Sequence, residues 1–325
     1  MQMRGLGATH IQVSAIGYGT WGLGGEAYGP VDDEQAERCL RRAFDRGVTF
    51  YDTADVYGPG RAETTLAHAF RGRRHEIIIA TKGGMLPHTG FEMPQDFALA
   101  HMQAAFSASL ARLQTDYIDL YQLHSPRVAE LDTHQATLDW LDELKRSGRI
   151  RACGLSARSP MDAQAGLERF PFDVVQVNFN LIDQRATECG LFARCLERGV
   201  GVIVRTPLCF GYLSAKRAGT KSFAGQDHRA NWPESQLRIW SAAPGLFAPF
   251  YGPGSGRTAS QLALGFCLAE PAVSVVIPGM MTVDQVDENT ETGWMPPVSS
   301  EIVAACRQIY RSHVFYDESA KGAVG

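Results

Sequence analysis

The sequence predicts an α/β chain closed into a (β/α)8 TIM barrel with an N-terminal β-hairpin cap. Three observations predict it. Apolar, β-branched runs begin near residues 16, 48, 77, 118, 150, 174, 201 and 273, each followed by sequence with helical spacing. The runs are apolar almost throughout rather than alternating, as strands covered on both faces are. No shift in composition marks a domain boundary in 325 residues, of which 45% are apolar. One domain over residues 1–325 is therefore expected, with 313–325 as a polar C-terminal tail. An open, doubly wound sheet is the competing architecture.

The elements follow in order. Residues 1–13 mix polar residues and glycine with short β-like pieces, which suits a capping hairpin. Ala15–Gly19 reads as a strand running into the Gly-rich loop Gly22–Pro30. Asp32 and Asp33 start a helix, because carboxylates accept the free N–H groups there and suit the helix dipole. Ala36, Cys39, Leu40, Ala43 and Phe44 give that helix its apolar stripe. Strands are then expected at Val48–Tyr51, Glu76–Lys82, Tyr117–His124, Ile150–Leu155, Asp173–Phe179, Gly201–Arg205 and Val273–Pro278. Helices are expected between and after them at Arg61–Phe70, Phe97–Leu113, Thr133–Arg146, Met161–Glu168 and Cys189–Glu197. After a long polar loop from Pro207 to Asn231, further helices read at Glu234–Trp240, Ala259–Ala269, Val283–Asn289 and Glu301–Arg311. Thr258 caps the second of these, and Pro249–Gly256 is a break.

Composition excludes several classes. A net charge of -4 draws the chain neither to nucleic acid nor to anionic lipid. No run of 18 apolar residues suggests a membrane span, and no apolar stretch follows Arg4 to make a signal peptide. The seven cysteines are scattered, form no Cys-x-x-Cys and are odd in number, so reduced thiols in a cytoplasmic protein are expected. No pair of histidines has metal-ligand spacing, and no metal is expected.

Two glycine-rich stretches carry little. Gly17-x-Gly19-x-x-Gly22 has the form of a dinucleotide-binding fingerprint, but Gly24, Gly25, Gly29 and Pro30 keep the chain in a loop where that fingerprint needs a helix. Gly252–Arg257 lacks the Lys-Ser/Thr of a phosphate-binding loop and reads as a turn or lid.

The polar residues at strand ends carry more. Asp52, Lys82, His124, Ser156, Gln176, Asn178 and Arg205 fall near the C-terminal ends of successive strands, which in a barrel face one mouth. Any one of them could be a satisfied buried polar group. An acid, a base and an imidazole on three consecutive strands, with the phenol of Tyr57 beside them, ask for a joint explanation. A buried lysine needs an anion, and Asp52 can supply it. A phenol near an ammonium has its phenolate favoured, which would lower the Tyr57 pKa towards neutrality. Tyr57 is thus a candidate general acid towards a carbonyl oxygen, with His124 orienting that carbonyl.

These four residues, in order and spacing, resemble the catalytic tetrad of the aldo-keto reductases. Gly19-Thr20-Trp21, Phe50–Ala54 with Tyr57-Gly58, Ala80-Thr81-Lys82, Asp116–Tyr121 with Leu123–Pro126, Pro207-Leu208 with Gly211–Leu213, Gln261–Leu264, and Ile277–Gly279 with Glu288-Asn289 extend the resemblance through nearly the whole chain. It implies a carbonyl–alcohol oxidoreductase using NADPH, with NADH possible, and a small carbonyl or alcohol substrate. Tyr57 would be the proton donor, Lys82 and Asp52 would tune it, and His124 would bind the carbonyl. Ser156 and Gln176 would hold the nicotinamide carboxamide. Arg205, Thr206, Pro207, Leu208, Gly211 and Leu213 would follow the nicotinamide and pyrophosphate. Gly279, Met281, Gln285, Glu288 and Asn289 would face the adenosine end. Trp21 and Tyr28 would line the substrate pocket.

Three positions depart from the family pattern. Ala157 stands where many relatives have Asn. Arg205 stands where an aromatic ring usually stacks on the nicotinamide, a place a planar guanidinium can also fill. Gly279, Met280, Met281 and Gln285 replace the Lys and Arg that often grip a 2′-phosphate. The alternative reading is a nicotinamide-binding, redox-sensing protein like a channel-associated β subunit. A barrel hydrolase or metal enzyme lacks a second strand-end carboxylate. The substrate and the oligomeric state are not legible.

Overall fold

The computed structural model describes residues 1–88, 90–216, 223 and 225–317. Of the polar tail expected over 313–325, residues 318–325 lie outside them, and Phe315 in the described part is buried. The chain begins with strands β1 (Met3–Gly5) and β2 (Gln12–Ser14), an antiparallel hairpin separate from the main sheet. Then come β3 (Tyr18–Gly19), α1 (Asp33–Asp45), β4 (Phe50–Asp52), α2 (Arg61–Ala69), β5 (Ile78–Gly83), α3 (Leu99–Leu113) and β6 (Ile118–His124). The second half holds α4 (Gln135–Arg146), β7 (Ile150–Ser156), α5 (Pro160–Arg169), β8 (Val174–Asn178), α6 (Arg185–Glu188), α7 (Leu191–Arg198) and β9 (Gly201–Arg205). It ends with α8 (Glu234–Phe247), α9 (Ala259–Leu268), β10 (Val273–Val276), α10 (Val283–Glu291) and α11 (Ser300–Ser312).

Strands β3 to β10 pair in sequence order, all parallel. Backbone bonds then join the two ends of the sheet. Gly17 donates to Val276 O at 2.8 Å, Val276 to Ala15 O at 2.9 Å and Gly19 to Pro278 O at 3.0 Å. The sheet is therefore a closed (β/α)8 barrel, and the open doubly wound alternative falls away.

Local chemistry explains several helix starts. The Asp32 carboxylate accepts from Gln35 N to start α1, and Thr258 and Gln261 form a reciprocal capping box at α9. Two helices depart from expectation. The helix expected over Cys189–Glu197 begins two residues later, as α7 at Leu191, because Gly190 at φ 78° turns the chain there, and the short α6 precedes it unforeseen. Helix α8 runs seven residues beyond Trp240, carrying Pro244 inside it. The apolar face that includes Trp240, Ala243 and Phe247 is buried, which outweighs the intrinsic cost of that proline.

The barrel interior is layered. Phe50, Ala80, Leu120, Ala152, Val174, Ile203 and Val275, one from each of β4 to β10, form an apolar layer with Leu6, Ile11 and Val13 of the hairpin beneath it. Ala8 N donates to Gly199 O at 2.7 Å, and a Cβ at Gly7 would run into Gly201 N. The hairpin thus seals the N-terminal end of the barrel. Side chains two residues further along each strand point the same way. That step reaches Asp52, Lys82, Gln122, Gly154, Gln176, Arg205 and Ile277, a polar layer towards the C-terminal mouth.

Candidate active site

Lys82 is the centre of the polar layer and is fully buried. Its Nζ donates to Asp52 Oδ1 at 2.5 Å, to Thr53 O at 2.7 Å and to Tyr57 Oη at 3.3 Å. An ammonium has three donors, and all three are used. Burial pulls the Lys82 pKa down, but Asp52 and Tyr57 outweigh it and the net direction is up, so Lys82 stays charged. Tyr57 sits in the turn between β4 and α2. Ala62 N donates to Tyr57 O at 3.2 Å, and Gly58 at φ 59° lies so close to Gly24 that no Cβ would fit.

The expected lowering of the Tyr57 pKa does not follow. Burial pushes the phenol up, Lys82 pulls it down, Asp52 pushes it up again, and the net direction is upward. The main reason is burial of the phenol, and Asp52 adds to it by opposing Lys82. At neutral pH Tyr57 therefore keeps its proton, as a donor must. His124 faces Tyr57 edge-on with ring centroids 5.9 Å apart. Burial first, then Lys82, Arg205 and His88, push its pKa well below the ordinary value, so the imidazole is neutral. His124 Nδ1 is buried without a partner. A bare lone pair there costs less than an orphaned N–H, which favours the tautomer with the proton on Nε2.

Above these residues lies a cavity of about 1520 Å³. Asp52, Tyr57 and His124 line it, as do Gln176 and Arg205; Lys82 and Ser156 lie behind the lining. Gln176 Nε2 donates to Asp52 Oδ2 at 2.7 Å, and Ser156 Oγ donates to Gln176 Oε1 at 3.3 Å. The Arg205 guanidinium reaches Asn178 Oδ1 at 2.9 Å, Ala157 O at 2.7 Å and Ser156 Oγ at 3.3 Å. Ala157 thus contributes its carbonyl to holding Arg205.

The cavity continues past Thr206, Pro207, Leu208 and Gly211 to Gly279, Met281, Gln285, Glu288 and Asn289. Leu213 alone of the expected loop residues turns away into the core. Thr206, Cys209 and Phe210 have positive φ, as does Gly211. Such conformations cost roughly 1–3 kcal/mol each in non-glycine residues and gather at ligand clamps. The turn closes on itself: Cys209 N donates to Thr206 O at 3.0 Å and Gly211 N to Leu208 O at 2.9 Å. At the far end Lys216 Nζ reaches Glu288 Oε2 at 2.7 Å, while Thr258 Oγ1 donates to Glu288 Oε1 at 2.7 Å. Gln285 Oε1 accepts from Met281 N at 2.7 Å. The length of the cavity and its mixed polar and apolar lining fit an extended dinucleotide.

Trp21 and Tyr28 line the mouth as expected. Sequence reading missed their neighbour His228, whose ring lies 4.6 Å from Trp21, 5.2 Å from Tyr28 and 4.9 Å from Phe210. Burial pushes the His228 pKa down to about 4, so its imidazole is neutral at neutral pH. His228 N donates to Ala27 O at 2.9 Å, and the buried Asp227–Arg229 pair sets the turn. Gln122, also missed, was legible in principle: it stands two residues before His124 on the same strand face. Among the described residues no group of three or more His, Cys, Asp or Glu could hold a metal.

Comparison with known proteins agrees with this geometry. The pattern of the Aldo/keto reductase family matches residues 15–311. The uncharacterized oxidoreductase YqkF of Bacillus subtilis is 30% identical over 320 residues, covering 96% of this chain and 99% of that protein. The holo form of aldo-keto reductase AKR11C1 from Bacillus halodurans superposes with a TM-score of 0.80 at 30% identity, over 98% of this chain and 99% of its own. An aldo/keto reductase from Klebsiella pneumoniae, solved with NADP and acetate, superposes at 0.72 with 26% identity over 95% and 96% of the two chains. A closed barrel, an Asp–Lys–Tyr–His cluster at its C-terminal mouth and a match over nearly the whole length lead to one conclusion: the chain belongs to the aldo/keto reductase family.

Proposed function

We propose that this chain is an NAD(P)H-dependent oxidoreductase that interconverts a small carbonyl compound and its alcohol, with Tyr57 as the proton donor. One observation carries the reading. A charged, fully buried Lys82 bridges Asp52 and the protonated Tyr57, next to a neutral His124, at the floor of a cavity long enough for a dinucleotide. When bound, the reduced nicotinamide supplies hydride to the carbonyl carbon. The protein supplies the rest. The Tyr57 hydroxyl and His124 Nε2–H both reach the carbonyl oxygen and favour the charge that develops there. The Tyr57 proton passes to that oxygen, and Lys82 holds the phenolate left behind until solvent returns a proton. In the reverse direction the same phenolate takes the alcohol proton.

Ser156 and Gln176 would hold the carboxamide, with Arg205 beside the ring. Thr206, Pro207, Leu208 and Gly211 would cradle the pyrophosphate, and Gly279, Met281, Gln285, Glu288 and Asn289 the adenosine. NADPH is the cofactor of this reading and NADH a second occupant, since Lys216 is the cation beside Glu288 and is already paired with it. Residues 1–325 form one domain in the same reading. Seven free thiols support a cytoplasmic site of action in the same reading. A redox-sensing role without turnover is disfavoured by the complete tetrad.

The test is Tyr57→Phe. NADPH oxidation across aldehydes, ketones and keto-sugars should fall by about 10²–10⁴-fold, the range for losing a positioned acid. NADPH binding, followed by its fluorescence, should persist. Wild-type-like turnover in Tyr57→Phe would remove the phenol from the mechanism.

A further inference from the structure

The Asp52 carboxylate is held from three sides. Lys82 Nζ lies 2.5 Å from Oδ1, while Gln176 Nε2 at 2.7 Å and Gln122 Nε2 at 3.3 Å both donate to Oδ2. Gln122 is fully buried, is not part of the cavity lining and pairs directly with Lys82 across the β5–β6 register. Gln176 reaches both ways. Its Oε1 accepts from Ser156 Oγ, which in turn accepts from Arg205 Nη1 at 3.3 Å. A continuous hydrogen-bonded chain therefore runs Arg205–Ser156–Gln176–Asp52–Lys82–Tyr57. Its first three members surround the place assigned to the carboxamide, and its last is the proton donor.

We propose that Gln122 and Gln176 are positioning residues for the proton donor: together they hold Asp52, and Gln176 thereby joins the carboxamide seat to Lys82 and Tyr57. The physics is a matter of sign. Each amide turns the positive end of its dipole towards Asp52 and disperses the carboxylate charge. Without that dipole the potential around Lys82 and Tyr57 becomes more negative, and the Tyr57 phenolate is less favoured. The charged and titratable groups facing that phenol are Lys82 from β5, Asp52 from β4, Arg205 from β9 and His124 from β6. The two amides bear on the phenol through Asp52 and Lys82, and neither touches the reacting atoms. The inference rests on the reading of Tyr57 as the donor.

The experiment compares wild type, Gln122→Met and Gln176→Met. Tyr57 is titrated without cofactor by phenolate absorbance from about pH 9 upward, because its midpoint lies above the ordinary tyrosine value of about 10, with each protein's Tyr57→Phe version subtracted. The pH dependence of kcat for alcohol oxidation and the Kd for NADP+ are measured in parallel. Both Met variants should move the Tyr57 midpoint and the oxidation profile upward by about 0.5–1 pH unit. Gln122→Met should leave the Kd unchanged, and Gln176→Met should weaken it. An unmoved midpoint in both variants, or a shift in Gln176→Met alone, overturns the proposal. If Gln122→Met does not fold, Gln122→Asn, one methylene too short to reach Asp52, carries the same test. The absorbance titration needs no substrate, so a failure of the enzymatic reading is told apart: it would show as a moving midpoint in a protein that turns over no carbonyl.

Discussion

Replacing Lys82 by Met separates what the buried ammonium does for the fold from what it does for the chemistry. Its Nζ lies 2.5 Å from Asp52 and 3.3 Å from Tyr57. At an effective dielectric of about 20, unit charges 3.3 Å apart attract by about 5 kcal/mol, an upper bound on what Lys82 gives the phenolate. Asp52 offsets much of this, leaving roughly 1–3 kcal/mol, or about one to two pKa units. The oxidation rate at pH 8 should then fall about 10- to 100-fold. Stability should fall by about 3–5 kcal/mol, because a buried Asp52 loses its counter-charge. Urea unfolding and steady-state oxidation on the same preparation read both. Adding Asp52→Asn to Lys82→Met should recover at least about 2 kcal/mol, since no carboxylate is then stranded. Unchanged unfolding with kcat within about twofold of wild type would refute this account of Lys82. A double variant no more stable than the single would refute the stranded-charge argument.

Other positions give independent tests. Asp55 is half-buried near Glu63, and its pKa is pushed up to about 7 by burial and then by that neighbour, with one carboxyl oxygen buried and unpartnered. A folded-state pKa above the unfolded value of about 3.9 means the folded protein binds the extra proton between those values, so stability falls as pH rises through that window and levels off above 7. Asp55→Asn should therefore stabilise by on the order of 3–4 kcal/mol at pH 8 and by close to nothing at pH 4, read from thermal melts at both; equal gains at both pH values would contradict it. Arg205→Leu frees Ser156 and Asn178 and should weaken cofactor binding at least about tenfold, the worth of a charged hydrogen-bonded contact, by fluorescence titration. Unchanged affinity would count against Arg205 as a cofactor contact. Gly7→Ala places a Cβ against Gly201 at a positive φ and should cost about 2–4 kcal/mol without altering cofactor affinity, seen in urea melts.

The fold was legible because strand burial is written as apolar runs, and each of the eight expected strands overlaps an observed one. Helix ends were less so. Pro244 reads as a break in isolation, and what keeps α8 going is the packing of Trp240 and Phe247 against elements far away in sequence. The tetrad was legible because Asp52, Lys82 and His124 are polar residues at the ends of apolar runs. Gln122 was hidden inside such a run, where only the count of two from Leu120 to His124 places it in the polar layer. The sign of the Tyr57 shift was not legible, since it turns first on how deeply the phenol is buried and then on the balance of Lys82 and Asp52, neither of which the sequence contains. His228 was hidden for a different reason. Its neighbours Trp21 and Tyr28 come from a loop some two hundred residues earlier, brought over by the Tyr28–Asp227 bridge.

The hairpin beneath the barrel has a consequence for traffic. With Leu6, Ile11 and Val13 filling the lower end, the catalytic chamber is a blind well, and whatever enters must leave by the way it came. A dinucleotide laid along the floor and a carbonyl compound stacked above it then form a queue, the last to arrive being the first to go. Such a well imposes an order on turnover that no single residue encodes, and product-inhibition kinetics would show the cofactor as the first molecule in and the last out.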